Sequence, residues 1–264
     1  MNKALCLINL CMKILLKGMS LQEIQDNIIR ENFLKYNASQ IYEWMYKHCV
    51  YDVSEMTNIS DKLKSFISDH CIFNTLNIKS KTTSEDGLVS KYLLQTIDNK
   101  LIESVSMIED DRHTVCLSSQ VGCNVDCDFC ATGKMGFIKN LSSGEILDQL
   151  IHIKRDVSVP ISNIVFMGMG EPLLNYKNVI KASDIINDGN AFNIGHHKIT
   201  ISTAGILPKI KKFINQRIKY NLAISLNASN DEVRNKLMPL NNKWPIQSLI
   251  KIAKEYNSSF RKKI

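Results

Sequence analysis

The sequence predicts an α/β protein in which an incomplete (βα) partial barrel follows a small N-terminal helical domain and a β-hairpin. Three patterns support this prediction. Apolar residues recur at helical spacing over residues 20–70, two β-rich runs at 91–97 and 101–108 flank a polar turn, and four strand-then-helix units follow residue 115. Such alternation is typical of a parallel sheet, and right-handed crossovers curl that sheet towards a barrel.

The domain organisation follows from where these patterns change. Ile24, Ile28 and Ile29 begin the helical periodicity, and the apolar stretch 4–16 predicts an earlier amphipathic helix. The polar run 79–87 is typical of a linker. We therefore expect an N-terminal helical accessory domain over residues 1–85 and the partial barrel over residues 86–264.

The barrel region alternates strands and helices. Strands are predicted at 115–119, 161–167, 198–203 and 221–226, and helices over 142–155 and from about residues 178, 208, 230 and 245. Ser142 and Glu145 have the spacing of a capping box at the start of the first of these helices. Because chemistry in such folds collects at the carboxyl ends of strands, we expect the functional site there.

Composition and charge exclude several classes of protein. The chain has 264 residues, 44% hydrophobic and 22% charged, which excludes a disordered, collagen-like or coiled-coil chain. Its longest apolar stretch is broken by Asn9 and Lys13 and is shorter than the ~20 residues of a membrane span. The net charge of +7 permits an RNA partner. Candidate phosphate contacts are Lys62, Lys64, Lys209, Lys211, Lys212, Arg217 and Lys219.

The cysteines carry the sharpest chemical signal. Without a convincing export signal, the eight cysteines favour a reducing compartment and a role in metal binding, catalysis or packing. Cys123, Cys127 and Cys130 have the spacing C-x-x-x-C-x-x-C directly after a predicted strand. Three thiolates on a four-iron cluster leave one iron open to a substrate or cofactor. The alternative is a zinc site completed by His113 or His152.

These residues also carry a resemblance to a known family. The cysteine spacing resembles the signature of radical S-adenosylmethionine (SAM) enzymes, and CLSSQVGC at 116–123 resembles the RlmN family of adenosine C2 methyltransferases. Further similar segments are QIYEW at 40–44, MTNIS at 56–60, GMGEPLLN at 168–175, ISTAG at 201–205, SLNASNDE at 225–232 and MPLN at 238–241. Pro172 favours RlmN over its relative Cfr. The resemblance implies an incomplete radical SAM partial barrel preceded by an N-terminal accessory domain that binds RNA.

The resemblance also implies a cofactor site. Cys123, Cys127 and Cys130 would hold a 4Fe-4S cluster whose fourth iron is chelated by SAM. The implied SAM-binding residues are Gly170, Glu171, Ser202, Ser225, Leu226 and Asn227. A glycine lets the backbone approach a ligand, and a carboxylate accepts hydrogen bonds from an ammonium group. Asn227 stands where the family commonly has histidine, and its amide cannot titrate near neutrality. From the residues alone, 168–175 is typical of a plain βα turn, because a G-x-G pattern by itself is a weak signal.

The implied reaction is methylation of C2 of adenosine in 23S rRNA and tRNA through a methylated cysteine and a deoxyadenosyl radical. By position, Glu103 matches the proton acceptor and Cys116 the second thiol, which releases product by forming a disulfide. From the residues alone, Glu103 could be a solvent-facing strand residue and Cys116 a core side chain.

The methyl-carrying cysteine of the family corresponds to a region beyond Ile264. We therefore expect a C-terminally truncated chain that does not methylate RNA alone. The resemblance implies a cytoplasmic monomer with RNA and an electron-donor protein such as flavodoxin as partners, and no membrane. Two alternatives remain: a different radical SAM enzyme, and a non-enzymatic zinc-bearing RNA-binding module.

Overall fold

The computed structural model describes residues 13–261 and residue 264. Its strands are β1 (Ile14–Leu15), β2 (Cys71–Ile72), β3 (Leu76–Thr83), β4 (Val89–Thr96), β5 (Leu101–Glu109), β6 (Arg112–Cys116), β7 (Gln120–Gly122), β8 (Phe137–Asn140), β9 (Asn163–Phe166), β10 (Ile199–Thr203) and β11 (Asn221–Ile224). Its helices are α1 (Leu21–Arg30), α2 (Lys35–Tyr46), α3 (Asp61–His70), α4 (Ala131–Lys134), α5 (Ser143–Asp156), α6 (Tyr176–Asn187), α7 (Leu207–Asn215), α8 (Asp231–Leu237) and α9 (Ile246–Phe260).

The N-terminal region is helical, as the apolar spacing predicts. Helix α1 begins at a capping box in which the Ser20 hydroxyl accepts from the Glu23 N–H and the Glu23 carboxylate accepts from the Ser20 N–H. Helix α3 begins after Ser60, whose hydroxyl accepts from the Leu63 N–H. Strands β1 and β2 pair in parallel at the two ends of this region.

The main sheet has seven strands in the order β11-β10-β9-β6-β5-β4-β3. Strands β3, β4, β5 and β6 pair with one another in antiparallel orientation. The pairs β6–β9, β9–β10 and β10–β11 are parallel. The predicted hairpin is therefore β4 and β5, and the four predicted strand-then-helix units supply the parallel half of the sheet. This arrangement confirms the α/β partial barrel with its N-terminal helices and hairpin.

Two predicted boundaries need correction. The predicted linker over 79–87 is wrong for residues 79–83, which belong to the edge strand β3. Seven of the eight side chains of β3 are exposed, so its sequence lacks the alternation that identifies a half-buried strand. The boundary at residue 85 accordingly falls in the turn between β3 and β4. Strand β6 begins at Arg112, earlier than predicted, because the chain reverses at Asp110, whose φ is +49°.

Helix α5 lies at the centre of the molecule. It begins at the predicted capping box of Ser142 and Glu145, and every residue from Ser143 to Ile153 is buried. A surface helix buries only one stripe of its circumference. Helix α5 instead packs on several sides because the barrel sheet and the N-terminal region both contact it.

A buried ion pair joins the N-terminal region to α5. The Lys17 ammonium lies 2.7 Å from the Asp148 carboxylate, and both side chains are 0% exposed. The second oxygen of Asp148 accepts from the Thr75 N–H, the Thr75 hydroxyl and the Leu76 N–H at 2.7 to 2.9 Å. Lys17 also donates to Asn74 Oδ1 at 3.1 Å. Together these bonds fix the start of β3 and the N-terminal region on one helix.

The predicted first helix over 4–16 lies largely outside the described residues, since the structure describes nothing before residue 13. Its last part is not helical, because Ile14 and Leu15 form β1 and pair with Cys71 and Ile72. Among the residues that the structure describes, no helix combines the length and apolar character needed to cross a membrane.

Candidate functional site

A cavity of about 280 Å³ opens at the carboxyl ends of the parallel strands, where the sequence places the site. It is lined by Cys123, Val125, Cys127, Phe129, Cys130, Phe166, Met167, Gly168, Gly170, Glu171, Pro172, Ser202, Thr203, Ala204, Ser225, Asn227 and Met238. The cavity therefore brings together eight of the eleven predicted site residues, including all three cysteines of the motif.

The cysteine loop is held by backbone hydrogen bonds on both sides. It leaves the short antiparallel ribbon of β7 and β8, and the Cys123 N–H donates to the Gly136 carbonyl at 3.1 Å. The Cys130 N–H donates to the Cys127 carbonyl at 3.1 Å just before α4, which turns the chain back on itself. The Asp128 N–H donates to the carbonyl of Leu237, at the end of α8, at 2.8 Å. The loop is thus anchored independently of any bound group.

The three thiols share one electrostatic environment. Burial, together with the neighbouring Cys123, Cys130 and Glu171, raises the pKa of Cys127 to about 11, while the charge of Arg234 opposes the shift. Burial also raises the pKa of Cys123, with contributions from Glu171 and Cys130. Each thiolate would therefore repel the next unless a cation neutralises them. Three mutually repelling soft donors on one cavity wall are the chemistry that an iron–sulfur cluster satisfies.

The arrangement gives no support to the zinc alternative. A structural zinc ion needs four donors at about 2.0–2.3 Å from one point. In the described part of the chain, no three His, Cys, Asp or Glu side chains are placed to hold a single ion. A cluster makes no such demand, because each cysteine binds a different iron.

Both candidate zinc-binding histidines are engaged elsewhere. His113 is buried in β6, where its Nδ1 donates to the Val159 carbonyl at 2.9 Å and its Nε2 lies 2.8 Å from Ser106 Oγ. His152 lies in α5 and its Nε2 donates to the Leu76 carbonyl at 3.2 Å. Burial lowers the pKa of His152. Neither histidine lines the cavity of the cysteines.

The segment after β9 packs so closely against β7 that two of its positions require glycine. Gly170 has a φ of +96°, and a Cβ there would lie 2.4 Å from Gln120 Cβ. A Cβ on Gly168 would lie 2.7 Å from Ser118 Oγ and 2.8 Å from the Ser118 nitrogen. The Glu171 N–H then donates to Gln120 Oε1 at 2.8 Å. This turn is rigid, as a ligand-binding backbone should be.

Glu171 is fully enclosed beside the cavity. Its carboxylate accepts from the Ala204 N–H at 2.7 Å and from the Leu173 N–H at 3.0 Å. Burial raises the pKa of Glu171 to about 7, although these bonds and the Thr203 hydroxyl oppose the shift. Each carboxylate oxygen has a further lone pair available for a ligand. The side chain is therefore positioned before any ligand arrives.

Of the four predicted contacts in β10 and in the segment after β11, three line the cavity. Ser202 and Ser225 lie on neighbouring strand ends with their Oγ atoms 3.4 Å apart. Asn227 has a φ of +59°, a left-handed conformation that asparagine tolerates better than most residues. Leu226 does not line this cavity. Its side chain belongs to a separate apolar cavity of about 210 Å³ that also includes Ile264.

Glu103 and Cys116 lie behind the cavity wall. The Glu103 carboxylate is 44% exposed and pairs with the Lys91 ammonium at 2.9 Å, while its backbone N–H lies 3.3 Å from Met169 Sδ. Cys116 is buried at the end of β6, and burial raises its pKa while the Met167 N–H opposes that shift. Met167 lines the cavity, so only one residue separates the Cys116 thiol from it.

Two polar residues that support the cavity were missed by the sequence analysis. Gln120 holds the Glu171 backbone and also donates to Asn140 Oδ1 at 2.8 Å. Arg234 is buried beneath the cavity and binds the ends of both β10 and β11. In the sequence, Arg234 is simply an arginine one turn after the Asn230 helix cap. An exposed helix residue would have the same local pattern. Its role depends on tertiary packing.

Two family profiles and one solved structure are similar to this chain. The profile of the Radical SAM superfamily matches residues 117–261, and that of the ribosomal RNA large subunit methyltransferase N-terminal domain matches residues 14–73. The chain is 34% identical to a radical SAM methyltransferase from Sphaerobacter thermophilus of known structure, with a TM-score of 0.90, covering 94% of this chain and 74% of that one.

Curated relatives point to the same family. The "Probable dual-specificity RNA methyltransferase RlmN" of Pseudothermotoga lettingae is 44% identical over 222 residues, which is 84% of this chain and 65% of the relative. The "Dual-specificity RNA methyltransferase RlmN" of Geobacter sulfurreducens is 38% identical over 249 residues, which is 94% of this chain and 68% of the relative. The chain thus spans about two thirds of the length of these relatives.

The cofactors of this family are SAM and a 4Fe-4S cluster, and the three thiols and the rigid glycine turn provide suitable surroundings for both. From its profiles, its relatives and its cavity, the chain belongs to the radical SAM superfamily, in the RlmN family of RNA methyltransferases.

Proposed function

We propose that this chain carries the cluster- and SAM-binding part of an enzyme that methylates C2 of adenosine in ribosomal and transfer RNA. The observation that carries the proposal is the single cavity in which the three motif cysteines face Gly170 and Glu171. When bound, the cluster and SAM supply the carbon-centred radical that an electron-poor adenine C2 requires. RNA is the substrate named for the relatives, which supports the choice of substrate.

The residues around the cavity have separate roles in this proposal. Cys123, Cys127 and Cys130 hold the cluster. Glu171 accepts a hydrogen bond from the SAM ammonium, and the Gly170 backbone lies against the ligand. Ser202, Ser225 and Asn227 supply further polar contacts on the opposite side.

Glu103 and Cys116 act from the β5 and β6 side of the sheet. Glu103 accepts the C2 proton, and its partly exposed side chain lies 2.9 Å from the Lys91 ammonium. Cys116 is the thiol that releases the methylated product. Its burial shields it from solvent, and only Met167 separates it from the cavity in which a substrate would lie. Leu226 contributes to the SAM site through its backbone, because its carbonyl accepts a hydrogen bond from Arg234 and this fixes the segment between Ser225 and Asn227.

SAM binding tests the proposal directly. Glu171→Gln in the anaerobically reconstituted protein is expected to raise the Kd for SAM about 10- to 100-fold, because a hydrogen bond between charged groups contributes about 1.5–3 kcal/mol. The matched control is Glu232→Gln, whose exposed carboxylate pairs with Lys236, and it should leave the Kd unchanged. Calorimetric titration gives both values. Equal affinities for the wild type and Glu171→Gln would contradict the assignment.

The reaction itself is read from products. Reduction of the reconstituted protein with dithionite in the presence of SAM is expected to release 5′-deoxyadenosine, detected by chromatography. With RNA and methyl-labelled SAM added, mass spectrometry of the digested RNA shows whether the chain alone transfers the label and, if it does, to which atom. The absence of 5′-deoxyadenosine from iron-loaded protein, or label on another atom of the base, would contradict the proposed chemistry.

RNA contact predicts a specific salt dependence. Lys209, Lys211 and Lys212 lie on α7, and Lys211 is exposed. If they neutralise phosphates, the double variant Lys209→Gln/Lys211→Gln should reduce the slope of log K against log salt by about 1.4–1.8, the value for two phosphates. Filter binding over a range of salt measures this slope. A slope that is unchanged from the wild type would remove these lysines from the RNA interface.

The remaining partners follow from the same proposal. We propose a cytoplasmic monomer that receives electrons from a small donor protein such as flavodoxin. The exposed apolar side chains of Phe129, Met135 and Phe137 surround the cysteine loop and offer such a protein a contact surface.

A further inference from the structure

Arg234 is a fully buried arginine directly beneath the candidate site. Its Nε donates to the Leu226 carbonyl at 2.9 Å, and its Nη2 donates to the carbonyls of Ala204 at 2.7 Å and Ser225 at 3.2 Å. Its Nη1 donates to Asn241 Oδ1 at 2.8 Å. The guanidinium therefore ties together the segments that follow β10 and β11, both of which line the cavity.

The charge of Arg234 is not neutralised by these contacts. All four acceptors are uncharged, and no carboxylate in the described part of the chain lies within ion-pair distance of the guanidinium. Burial accordingly lowers the pKa of Arg234, although Cys127 and Asp231 oppose the shift. A buried charge is costly unless an opposite charge lies nearby, and the two groups that favour the charged form of Arg234 are Asp231, linked to it through Asn241, and Cys127 on the cavity wall.

The anionic side of that cavity is the cysteine loop. The helix of Arg234 ends at Leu237, whose carbonyl holds the Asp128 N–H at 2.8 Å. Leu237 and Met238 pack against Cys123 and Cys127 in one small apolar cluster. The Arg234 charge favours the thiolate of Cys127, in opposition to burial and the other thiols. Val125, Ala204 and Met238 are buried in this cluster, so the surroundings are partly apolar, and a charge interaction is stronger there than in bulk water.

Arg234 is also linked to Glu171. Ala204 accepts from Arg234 through its carbonyl and donates to the Glu171 carboxylate through its N–H at 2.7 Å. The same arginine thus supports both sides of the site.

We infer that Arg234 is a positioning residue that holds a buried positive charge, outside any direct ion pair, near Cys127 and thereby favours the reduced state of an iron–sulfur cluster held by the three cysteines. This inference rests on the proposed cluster-binding function. Reduction adds one electron from an external reductant such as dithionite, breaks no bond and makes the cluster more negative. A nearby fixed cation stabilises the more negative state.

The test is a redox titration of the reconstituted full chain, monitored by the electron paramagnetic resonance of the reduced cluster. Arg234→Gln is expected to decrease the equilibrium constant for reduction at least tenfold, a shift of about 59 mV to lower potential. Arg234→Lys keeps the charge but not the planar set of donors, so its reduction potential should stay close to that of the wild type. Lys236→Gln removes an exposed charge from the same helix and should not shift the potential.

A second variant separates charge from packing if Arg234→Gln fails to fold. Asn241 accepts from Arg234 and donates to Asp231 Oδ1 at 2.8 Å, so Asp231→Asn/Asn241→Asp moves one carboxylate onto the guanidinium with no change in net charge. This double variant should lower the reduction potential of the cluster, as Arg234→Gln does.

The outcomes discriminate between the hypotheses. Lower potentials in Arg234→Gln or the exchanged pair, with Arg234→Lys near the wild type, support the inference. Iron-loaded variants that all titrate like the wild type overturn it, as would equal shifts in Arg234→Lys and Arg234→Gln, since those indicate packing alone. A wild-type chain that takes up no iron and sulfide would overturn the cluster-binding function together with this inference.

Discussion

Asp148→Asn is expected to lower the free energy of unfolding by about 3–5 kcal/mol, the usual cost of removing one partner from a buried ion pair. Lys17 would keep an unpaired ammonium in the interior with only Asn74 to accept from it. The asparagine NH2 group would in addition oppose either Lys17 or the N–H groups of Thr75 and Leu76, all of which are donors. Urea unfolding monitored by circular dichroism measures the loss.

Two further variants make this stability prediction specific. Lys17→Met should cost less than Asp148→Asn, because Asp148 keeps its three bonds from Thr75 and Leu76. Glu43→Gln removes an exposed ion pair with Lys47 and should change stability by less than about 0.5 kcal/mol. A loss in Asp148→Asn no larger than in Glu43→Gln would show that the buried pair does not hold the N-terminal region in place.

Cys127→Ala is expected to abolish iron binding, with an affinity loss of more than about 100-fold. Loss of a residue that merely orients a metal ligand already costs about 10- to 100-fold, and Cys127 is proposed as a ligand itself. The remaining Cys123 and Cys130 offer two thiols on the cavity, too few for a cluster that needs three. Iron and acid-labile sulfide analysis after anaerobic reconstitution, with visible absorption, measures the loss.

The control for this variant uses cysteines outside the cavity. Cys71→Ala removes a buried thiol of β2, and Cys116→Ala removes the thiol behind Met167. Both should bind iron as the wild type does, since neither lines the cavity. Full iron content in Cys127→Ala, or an equal loss in Cys71→Ala, would contradict the assignment of the ligands.

The sequence predicted the parallel strands well because β9, β10 and β11 contain only buried and half-buried residues. Continuous apolar runs such as 161–167 followed by glycine and then a helix have few alternative interpretations. Strand β3 was missed for the opposite reason. Its side chains are exposed and polar, and it is a strand because β4 offers it backbone hydrogen bonds, which no local pattern records.

The sequence by itself determined the chemistry of this protein, because the spacing of three cysteines and the order of its motifs are properties of the chain. Tertiary structure alone decided which side chains share the cavity, excluding Leu226 and placing Glu103 and Cys116 behind its wall. It also decided that Arg234 is buried near the cysteine loop, with only uncharged groups accepting its hydrogen bonds. The physical reason is that burial and electrostatic interaction depend on neighbours distant in sequence, which come together only when strands and helices pack.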